Sequence, residues 1–395
     1  MGLVARGHDV TVLTRYPTDY LPARSSGGQP DLPEEQAMAG VKVVRVRGFG
    51  SHKSRLALRC MEELMFSIRL LVRALREPLP DAVFVYSPPL VLAAVAALSC
   101  RLRSVPLVLN LHDFYPRTAV QLGYLRNRWL IRWAERTSIA LYKAAAAIVV
   151  PNSGSRSLLV EEYRVPGRKI AVIHNWVNTK VVDPASRGTQ FRARIGAKGR
   201  FVVSYAGLMG YAQDLAAVLA CVSSMQQEDI VFVLAGDGNL AGKVEAAVAG
   251  LPNAVYLPML DRAEYFALLQ ASDVCLMPLT ATLRSPAVPG KLQSIMAAGR
   301  PVIAVVPIDS VAAEMVREIE CGMVVAPGDV AALREAVERL CRNRLLAHRY
   351  GANGRRAAEA LFDIEPTLDK FESVFQGLSG VVGPAGSGSS TEQVA

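Results

Sequence analysis

The amino-acid sequence predicts an α/β protein made of two doubly wound domains, each with a parallel sheet. The chain has 395 residues, which is longer than single hydrophobic cores usually become. Half of the residues are hydrophobic (51%) and a fifth are charged (20%), which excludes a wholly disordered chain. Short β-branched runs alternate with longer helical segments, as in parallel sheets with right-handed crossovers.

The first domain is predicted over residues 1–178. Several of its β-branched runs lack polar and apolar alternation, which is typical of strands buried on both faces. Its strands are predicted at residues 10–13, 41–46, 82–86, 106–111, 147–150 and 170–173, and its main helices at residues 59–76 and 126–147.

The pattern pauses near residues 175–184 and restarts in a second domain, predicted over residues 179–362. An amphipathic segment follows and is predicted as a last helix within residues 363–382, and a Gly/Ser-rich tail at residues 383–395 is predicted to be disordered. The strands of the second domain are predicted at residues 201–205, 230–234, 254–257, 274–277, 301–305 and 323–325, and its helices at residues 215–225, 263–271, 291–298, 311–319 and 330–342.

The net excess of positive charge lies entirely in the first domain. Residues 1–178 carry 24 Lys and Arg against 13 Asp and Glu, whereas residues 179–395 carry 20 against 22. Such asymmetry predicts an anionic partner for the first domain. Basic residues beside tryptophans suit an anionic membrane, and the same charge could serve nucleic acid; the alternative is a solvated helix with its tryptophans in the core. The residues concerned are Arg55, Arg59, Arg69, Arg73, Arg76, Arg126, Arg128, Arg132, Arg136, Lys143, Trp129 and Trp133.

Other composition features exclude several classes of protein. The six cysteines form no C-x-x-C pair and the five histidines are scattered, which argues against a zinc site and a disulfide scaffold and favours the cytosol. The longest apolar run, residues 90–100, has about half of the ~20 residues that a membrane-spanning helix needs.

A glycine-rich turn and a lysine mark the second domain as the ligand-binding one. Gly236 and Gly238 follow a predicted buried strand, where glycines let the backbone approach a ligand; a tight strand-to-helix turn is the alternative. Pro289 and Gly290 begin a predicted helix with Lys291 in its first turn. Because the helix dipole disfavours a cation there, an anion is expected to share the site, unless Lys291 is an ordinary surface residue.

Two strand ends of the first domain carry polar residues. His112 and Asp113 follow a predicted buried strand, at the sheet edge where open α/β folds bind ligands, and such a pair can move a proton. The alternative is that Asp113 only caps the next turn. Ser87 and Pro88 end another strand, where prolines can simply stiffen the loop.

Taken in order, these stretches resemble retaining-type family 4 glycosyltransferases of GT-B fold. Within that family the chain is similar to the branch acting in O-antigen, capsule and exopolysaccharide assembly, including fucosamine-type transferases. The resemblance spans residues 3–378 and rests on residues 3–14, 87–89, 112–116, 173–177, 205–214 and 289–304, with Gly322 and residues 327–329.

The resemblance implies that the second domain binds a nucleotide sugar, expected to be a UDP-linked N-acetylated sugar. It implies a lipid-pyrophosphate-linked saccharide as acceptor in the first domain, a peripheral position on the inner face of the cytoplasmic membrane, and neither cofactor, metal nor nucleic acid. Lys291 would neutralise the departing diphosphate, with His112 and Asp113 near the acceptor hydroxyl. The remaining implied residues are Gly207, Gly236, Gly238, Pro289, Gly290 and Ser294 on the donor side and Ser87, Pro88 and Tyr115 on the acceptor side.

The chain also departs from the family pattern. Pro286 and Ser294 occupy the positions of two Glu, and Leu208 and Gln213 stand where Arg and Lys are common. The sequence begins inside the expected first helix, so the first domain is expected to lack its first strand, either through a start further upstream or through truncation. These departures keep two alternatives open: a non-catalytic GT-B binding module and a nucleotide-sugar epimerase.

Overall fold

The computed structural model describes residues 1–16, 32–47, 56–225, 229–282 and 288–379, with residues 56–60 and 379 described by their backbone alone. The predicted tail at residues 383–395, together with Arg55 and Pro286, lies outside the described residues, and so does the side chain of Arg59. The same holds for residues 283–287.

The amino-terminal half is an α/β unit whose strands, except Glu35–Met38, lie where β-branched runs predict them. Its strands form one sheet in the order β1-β3-β2 and a second in the order β4-β5-β6-β7; all pairs are parallel except β2 with β3. Its elements are α1 (Gly2–Ala5), β1 (Thr11–Arg15), β2 (Glu35–Met38), β3 (Val41–Val46), α2 (Leu56–Ala74), β4 (Val83–Ser87), α3 (Leu90–Arg103), β5 (Leu107–Leu111), α4 (Arg117–Gln121), α5 (Arg128–Ala144), β6 (Ala147–Val150), α6 (Ser153–Glu161) and β7 (Ile170–Val172).

The helices of this half form a layer on one face of the sheet. The crossovers from β4 to β5 and from β5 to β6 advance in one direction, so their right-handedness places α3 and α5 on the same face. Helix α2 packs beside α3, and α3 packs beside α5. On α5, Ala134, Ser138 and Leu141 are buried. Trp129 and Trp133 are 79% and 56% exposed, so the alternative that placed them in the core is wrong.

The carboxy-terminal half has one continuous parallel sheet in the order β10-β9-β8-β11-β12-β13. The chain order reverses between β8 and β11, and this switch point is where doubly wound folds bind ligands. The elements of this half are α7 (Thr189–Arg194), β8 (Phe201–Ala206), α8 (Leu215–Ser224), β9 (Ile230–Ala235), α9 (Ala241–Val248), β10 (Ala254–Leu257), α10 (Arg262–Ala271), β11 (Val274–Pro278), α11 (Lys291–Ala297), β12 (Val302–Val305), α12 (Val311–Glu318), β13 (Gly322–Val325), α13 (Val330–Arg342), α14 (Arg344–Leu361) and α15 (Ile364–Ser379).

The linker and the last helix connect the two halves. Val177 N–H donates to the carbonyl of Phe362 at 2.9 Å, which ties the linker to the start of α15. Helix α15 packs on the amino-terminal sheet, where the rings of Phe371 and Phe84 meet edge to face at 5.6 Å. Arg6, next to α1, pairs with Glu365, Asp369 and Glu372 of α15. Across the described ranges, no helix is both long and apolar enough to cross a bilayer.

Candidate active site

The predicted donor-side glycines meet at the carboxyl ends of β8 and β9. Gly236 has φ +152°, and a Cβ added there would overlap the carbonyl oxygen of Gly207. A Cβ on Gly238, with φ +144°, would lie 2.5 Å from the carbonyl oxygen of Met209. The turns after β8 and β9 can pack this closely only without side chains, so these glycines shape the floor of the site.

Lys291 is the first residue of α11 and points back toward the glycine turns. Its Nζ lies 4.2 Å from the centroid of the Tyr205 ring, and a Cβ added to Gly207 would lie 3.0 Å from Nζ. Burial lowers the pKa of Lys291 to about 8. In the described part of the chain, no carboxylate pairs with this ammonium. It is therefore cationic at pH 7 and its counter-charge is open to a ligand.

A cavity of about 230 Å³ opens beside the turn at Gly207. Its walls come from the ends of β8 and β9 and from the loop between β10 and α10, with Tyr265 as the aromatic wall. The Tyr265 hydroxyl is hydrogen-bonded to Ser294, and burial raises its pKa to about 12. Ser294 therefore holds a wall of the cavity in place. Sequence reasoning missed Tyr265, although it lies in the first turn of α10, just after the loop that follows β10 at the same sheet edge.

Leu208 and Gln213 stand where the family usually has cations. Both take part in hydrogen bonds that hold the turn after β8. The carbonyl of Leu208 accepts a 2.5 Å hydrogen bond from the Tyr205 hydroxyl. Gln213 Oε1 accepts from Gly210 N–H at 3.0 Å. The ammonium of Lys291 thus lies beside the turn at Gly207, and Arg262 is a second cation in the lining of the cavity.

The acceptor-side residues meet at the carboxyl ends of β4 and β5. The His112 N–H donates to the carbonyl of Ser87 at 3.2 Å, which joins the two strand ends. The imidazole Nε2 lies 3.1 Å from Asn110 Nδ2, and the Tyr86 ring stacks on the imidazole at 5.4 Å with a 25° interplanar angle. Asn110 and Tyr86, which sequence reasoning missed, therefore fix the imidazole. They are paired residues one position before the ends of β5 and β4, two strands that the sequence predicted.

Burial sets the protonation of the His112 and Asp113 pair. It lowers the pKa of His112, while Asp113 acts in the opposite direction. Burial raises the pKa of Asp113, and the neighbouring His112 lowers it to a smaller extent. The imidazole is therefore neutral at pH 7. If the Asn110 amide N–H donates to Nε2, the neutral ring carries its proton on Nδ1, which leaves Nδ1–H as its free donor.

The remaining acceptor-side residues differ in exposure. Pro88 is exposed after β4, and Tyr115 is partly buried against the core of this half. The Ser138 hydroxyl of α5 donates to the carbonyl of Tyr115 at 2.8 Å. Tyr115 thus links the turn after β5 to the helix layer.

One linker residue reaches the donor side. Asn175 Nδ2 lies 3.9 Å from the position that a Cβ of Gly290 would take, just before Lys291. Pro289 is partly buried and Gly290 is exposed beside it. Among the described residues no group of three or more His, Cys, Asp or Glu could hold a metal ion.

Two family models match successive parts of the chain. Residues 1–176 match the "Glycosyl transferase 4-like domain" and residues 193–343 match "Glycosyl transferases group 1". The chain is 28% identical over 299 residues to the probable glycosyltransferase WbjE of Pseudomonas aeruginosa, covering 74% of each chain. It is 28% identical over 159 residues to the O-antigen chain mannosyltransferase C of Escherichia coli, covering 40% of this chain and 42% of that one.

Solved structures share the fold at low identity. HepE of Anabaena, solved in complex with UDP, superposes with a TM-score of 0.63 at 16% identity and covers 86% of each chain. WaaG, a glycosyltransferase involved in lipopolysaccharide biosynthesis, gives a TM-score of 0.63 at 16% identity, covering 96% of this chain and 93% of that one. With both halves matched by transferase models and the two parallel sheets in place, the chain belongs to the family 4 glycosyltransferases of GT-B fold.

Proposed function

We propose that the protein transfers a sugar from a nucleotide sugar, a UDP-linked N-acetylated sugar, to a lipid-pyrophosphate-linked saccharide. The product would be a precursor of a cell-surface polysaccharide such as O-antigen, capsule or exopolysaccharide. The similar fold of HepE, solved with UDP and with UDP-glucose, supports a uridine nucleotide. The similarity to an O-antigen chain mannosyltransferase supports the polysaccharide.

The observation that carries the proposal is the largely buried ammonium of Lys291 beside the glycine turns, which pairs with no carboxylate among the residues that the structure describes. A buried cation is costly unless an opposite charge joins it. A diphosphate supplies that charge, and the adjoining cavity of about 230 Å³ offers room for the base. Positive charge aimed at the leaving group is usually the largest single contribution to such a transfer.

The reaction would proceed with Lys291 and His112 in separate roles. The bond between the anomeric carbon and the diphosphate oxygen breaks, and the electron pair leaves on the diphosphate, which Lys291 neutralises without a metal ion. The acceptor hydroxyl oxygen bonds to the anomeric carbon, and its proton passes to a nearby base. While Asn110 donates to Nε2, the neutral imidazole of His112 can donate its Nδ1–H to a sugar hydroxyl. It can accept the acceptor proton only when Nε2 exchanges Asn110 for the acceptor hydroxyl, and Asp113 is the second candidate base.

A lipid-linked acceptor would place the enzyme on the inner face of the cytoplasmic membrane, as a peripheral protein. The excess of basic residues lies in the amino-terminal half, where the acceptor would bind. Pyrophosphate and anionic lipids would both be attracted to that half.

The test of donor binding is a thermal-shift screen with UDP-, GDP- and dTDP-sugars. A ligand that binds only the folded protein raises Tm, and we expect the largest rise with UDP-linked N-acetylated sugars. Lys291→Ala should abolish the rise. Lys243→Ala is a matched control, because Lys243 is an exposed lysine near the start of α9, and it should leave the rise intact. An unchanged rise in Lys291→Ala would refute the assigned role.

A turnover assay with donor and lipid-linked acceptor separates the alternatives. Transfer supports the proposal. A Tm shift without any turnover would identify a non-catalytic binding module, which the replacement of a family Glu by Ser294 favours. Consumption of the donor in the absence of acceptor would identify an epimerase.

A further inference from the structure

The outer surface of the helix layer α2, α3 and α5 exposes apolar side chains in a regular pattern. On α2 the exposed apolar residues recur every three or four positions, which places them on one face of the helix. They are Met61, Leu64, Met65, Ile68 and Val72, with Leu75 directly after the helix, each between 40% and 57% exposed. The opposite face of α2 buries Phe66 and Ser67, so the apolar stripe faces away from the core.

The stripe continues on the two neighbouring helices. On α3, Leu98 and Leu102 are exposed one turn apart. On α5, Trp129 and Trp133 are also one turn apart and exposed. Because α2 packs beside α3 and α3 beside α5, these side chains belong to one surface, which we call the docking face.

The charge on the docking face is predominantly positive. The three helices contain nine Lys and Arg and three Glu. Glu62 is buried and Glu63 pairs with Arg15. This leaves Glu135 of α5 as the exposed carboxylate of these helices that pairs with no arginine in the described ranges of the chain. Arg128, Arg132 and Arg136 lie at one-turn intervals on α5. In contrast to Arg117, which pairs with Glu162, these three arginines form no salt bridge within the described residues. Large exposed apolar surfaces of this kind mark interaction sites.

We propose that the docking face lies on an anionic lipid bilayer, with Trp129 and Trp133 at the level of the headgroups. Tryptophan favours the membrane–water interface, and unpaired arginines attract anionic headgroups. A second copy of the chain fits poorly, because a twofold contact through this face would enclose the α5 arginines of both copies in one interface, which concentrates like charge there. The inference deepens the proposed function, which needs a bilayer for its acceptor, by naming the surface that meets it.

The test is cosedimentation of the full chain with vesicles of phosphatidylcholine, with and without 30 mol% (about a third) phosphatidylglycerol. We expect binding to the anionic vesicles and little to the neutral ones. Two double variants, Trp129→Ser with Trp133→Ser and Ile68→Ser with Val72→Ser, should each weaken binding by about tenfold or more. The triple variant Arg128→Gln, Arg132→Gln, Arg136→Gln should also weaken it by about tenfold or more.

The matched control is Leu345→Ser with Arg349→Gln on α14. Leu345 is 85% exposed and Arg349 is exposed, but both lie in the carboxy-terminal half, so vesicle binding should remain at the wild-type level. Each variant should keep the wild-type Tm and the Tm rise with UDP-sugar, which separates loss of docking from loss of fold or donor binding.

Three results would overturn the inference. The first is failure of the wild-type protein to bind anionic vesicles. The second is vesicle binding by the docking-face variants at the wild-type level. The third is a dimer, detected by light scattering, that the tryptophan variant no longer forms. Vesicle binding by a protein without transfer activity would refute the proposed function and leave the docking face standing.

Discussion

The two halves of the molecule place their unpaired positive charge in opposite locations. The carboxy-terminal half hides a cation, Lys291, against Tyr205 and the glycine turns. The amino-terminal half displays its cations on α5, between exposed tryptophans. A hidden cation selects a small anion that fits the site, whereas displayed cations select an extended anionic surface. The same elementary charge thus serves two kinds of recognition, and burial makes the difference.

The first prediction compares two nearby glycines of the carboxy-terminal half. Gly236→Ala would force a Cβ onto the carbonyl of Gly207 at φ +152°, so we expect a loss of about 3 kcal/mol in unfolding free energy and of the UDP-sugar Tm shift. Gly242→Ala on α9 meets nothing within 4 Å and should leave stability unchanged or raise it by up to about 1 kcal/mol. Urea unfolding measures the free energy of unfolding of both variants. Equal losses in the two variants would refute the role of the close approach between Gly236 and the carbonyl of Gly207.

The second prediction concerns the neutral imidazole of the amino-terminal half. His112→Ala should lower kcat by about 10²–10⁴-fold if the ring accepts the acceptor proton, with donor binding unchanged. His112→Gln keeps a hydrogen-bond donor but no base. Activity close to wild type in the glutamine variant would assign the ring to hydrogen bonding. Steady-state kinetics with donor and acceptor varied separately measures the difference.

The third prediction is a pH dependence of donor binding. Burial lowers the pKa of Lys291 to about 8 in the free protein, and a bound diphosphate raises it again, because opposite charge favours the protonated form. The ammonium is present below pH 8, so donor affinity should be constant there. Above pH 8 binding requires proton uptake, and Kd should rise by up to about tenfold per pH unit.

Calorimetric titration from pH 6.5 to 9.5 provides the measurement. Lys291→Arg removes this titration, since guanidinium stays protonated, so its residual affinity should not change over the range. A wild-type Kd that does not change up to pH 9.5 would contradict the burial of Lys291.

The smallest expected effect is a difference in salt dependence between vesicle binding by the amino-terminal half and donor binding by the carboxy-terminal half. Exposed charges are screened as the Debye length falls from about 10 Å at 0.1 M salt to about 3 Å at 1 M. Vesicle binding through the α5 arginines should therefore weaken clearly over this range, while the donor Kd, set by a largely buried cation, should change only slightly. Cosedimentation measures vesicle binding and calorimetry measures the donor Kd, both on one preparation. A stronger salt effect on the donor Kd than on vesicle binding would contradict the prediction.

Local pattern predicted most of the elements, and its failures have physical reasons. The strands at residues 41–46, 147–150 and 254–257 and the helix at residues 330–342 were predicted with the bounds observed. Helix α14 was not predicted, because Gly351 and Gly354 weaken its helical pattern. Both glycines let α14 approach α11, since a Cβ on Gly351 would overlap the carbonyl of Gly299. Strand β2 was missed because it is short and mostly exposed.

The site was predictable to the extent that it follows strand and helix ends. Lys291 was placed at the first turn of its helix, and α11 begins there. His112 was placed after a buried strand, and β5 ends one residue earlier. Their neighbours Tyr86, Tyr205 and Tyr265 come from β4, β8 and α10, and sequence separation hides such contacts. Asn110 lies only two residues before His112, but the sequence does not show that its amide meets the imidazole.

The sequence by itself determined the α/β class, the positions of most strands along the chain and the asymmetry of its charge, because periodicity and composition are local properties of the chain. Only the tertiary structure decided which charges are hidden and which are displayed. It buried Lys291 and lowered its pKa, and it turned Trp129 and Trp133 outward. Burial depends on what the rest of the chain packs against each side chain, and that packing is set by contacts between residues distant in sequence.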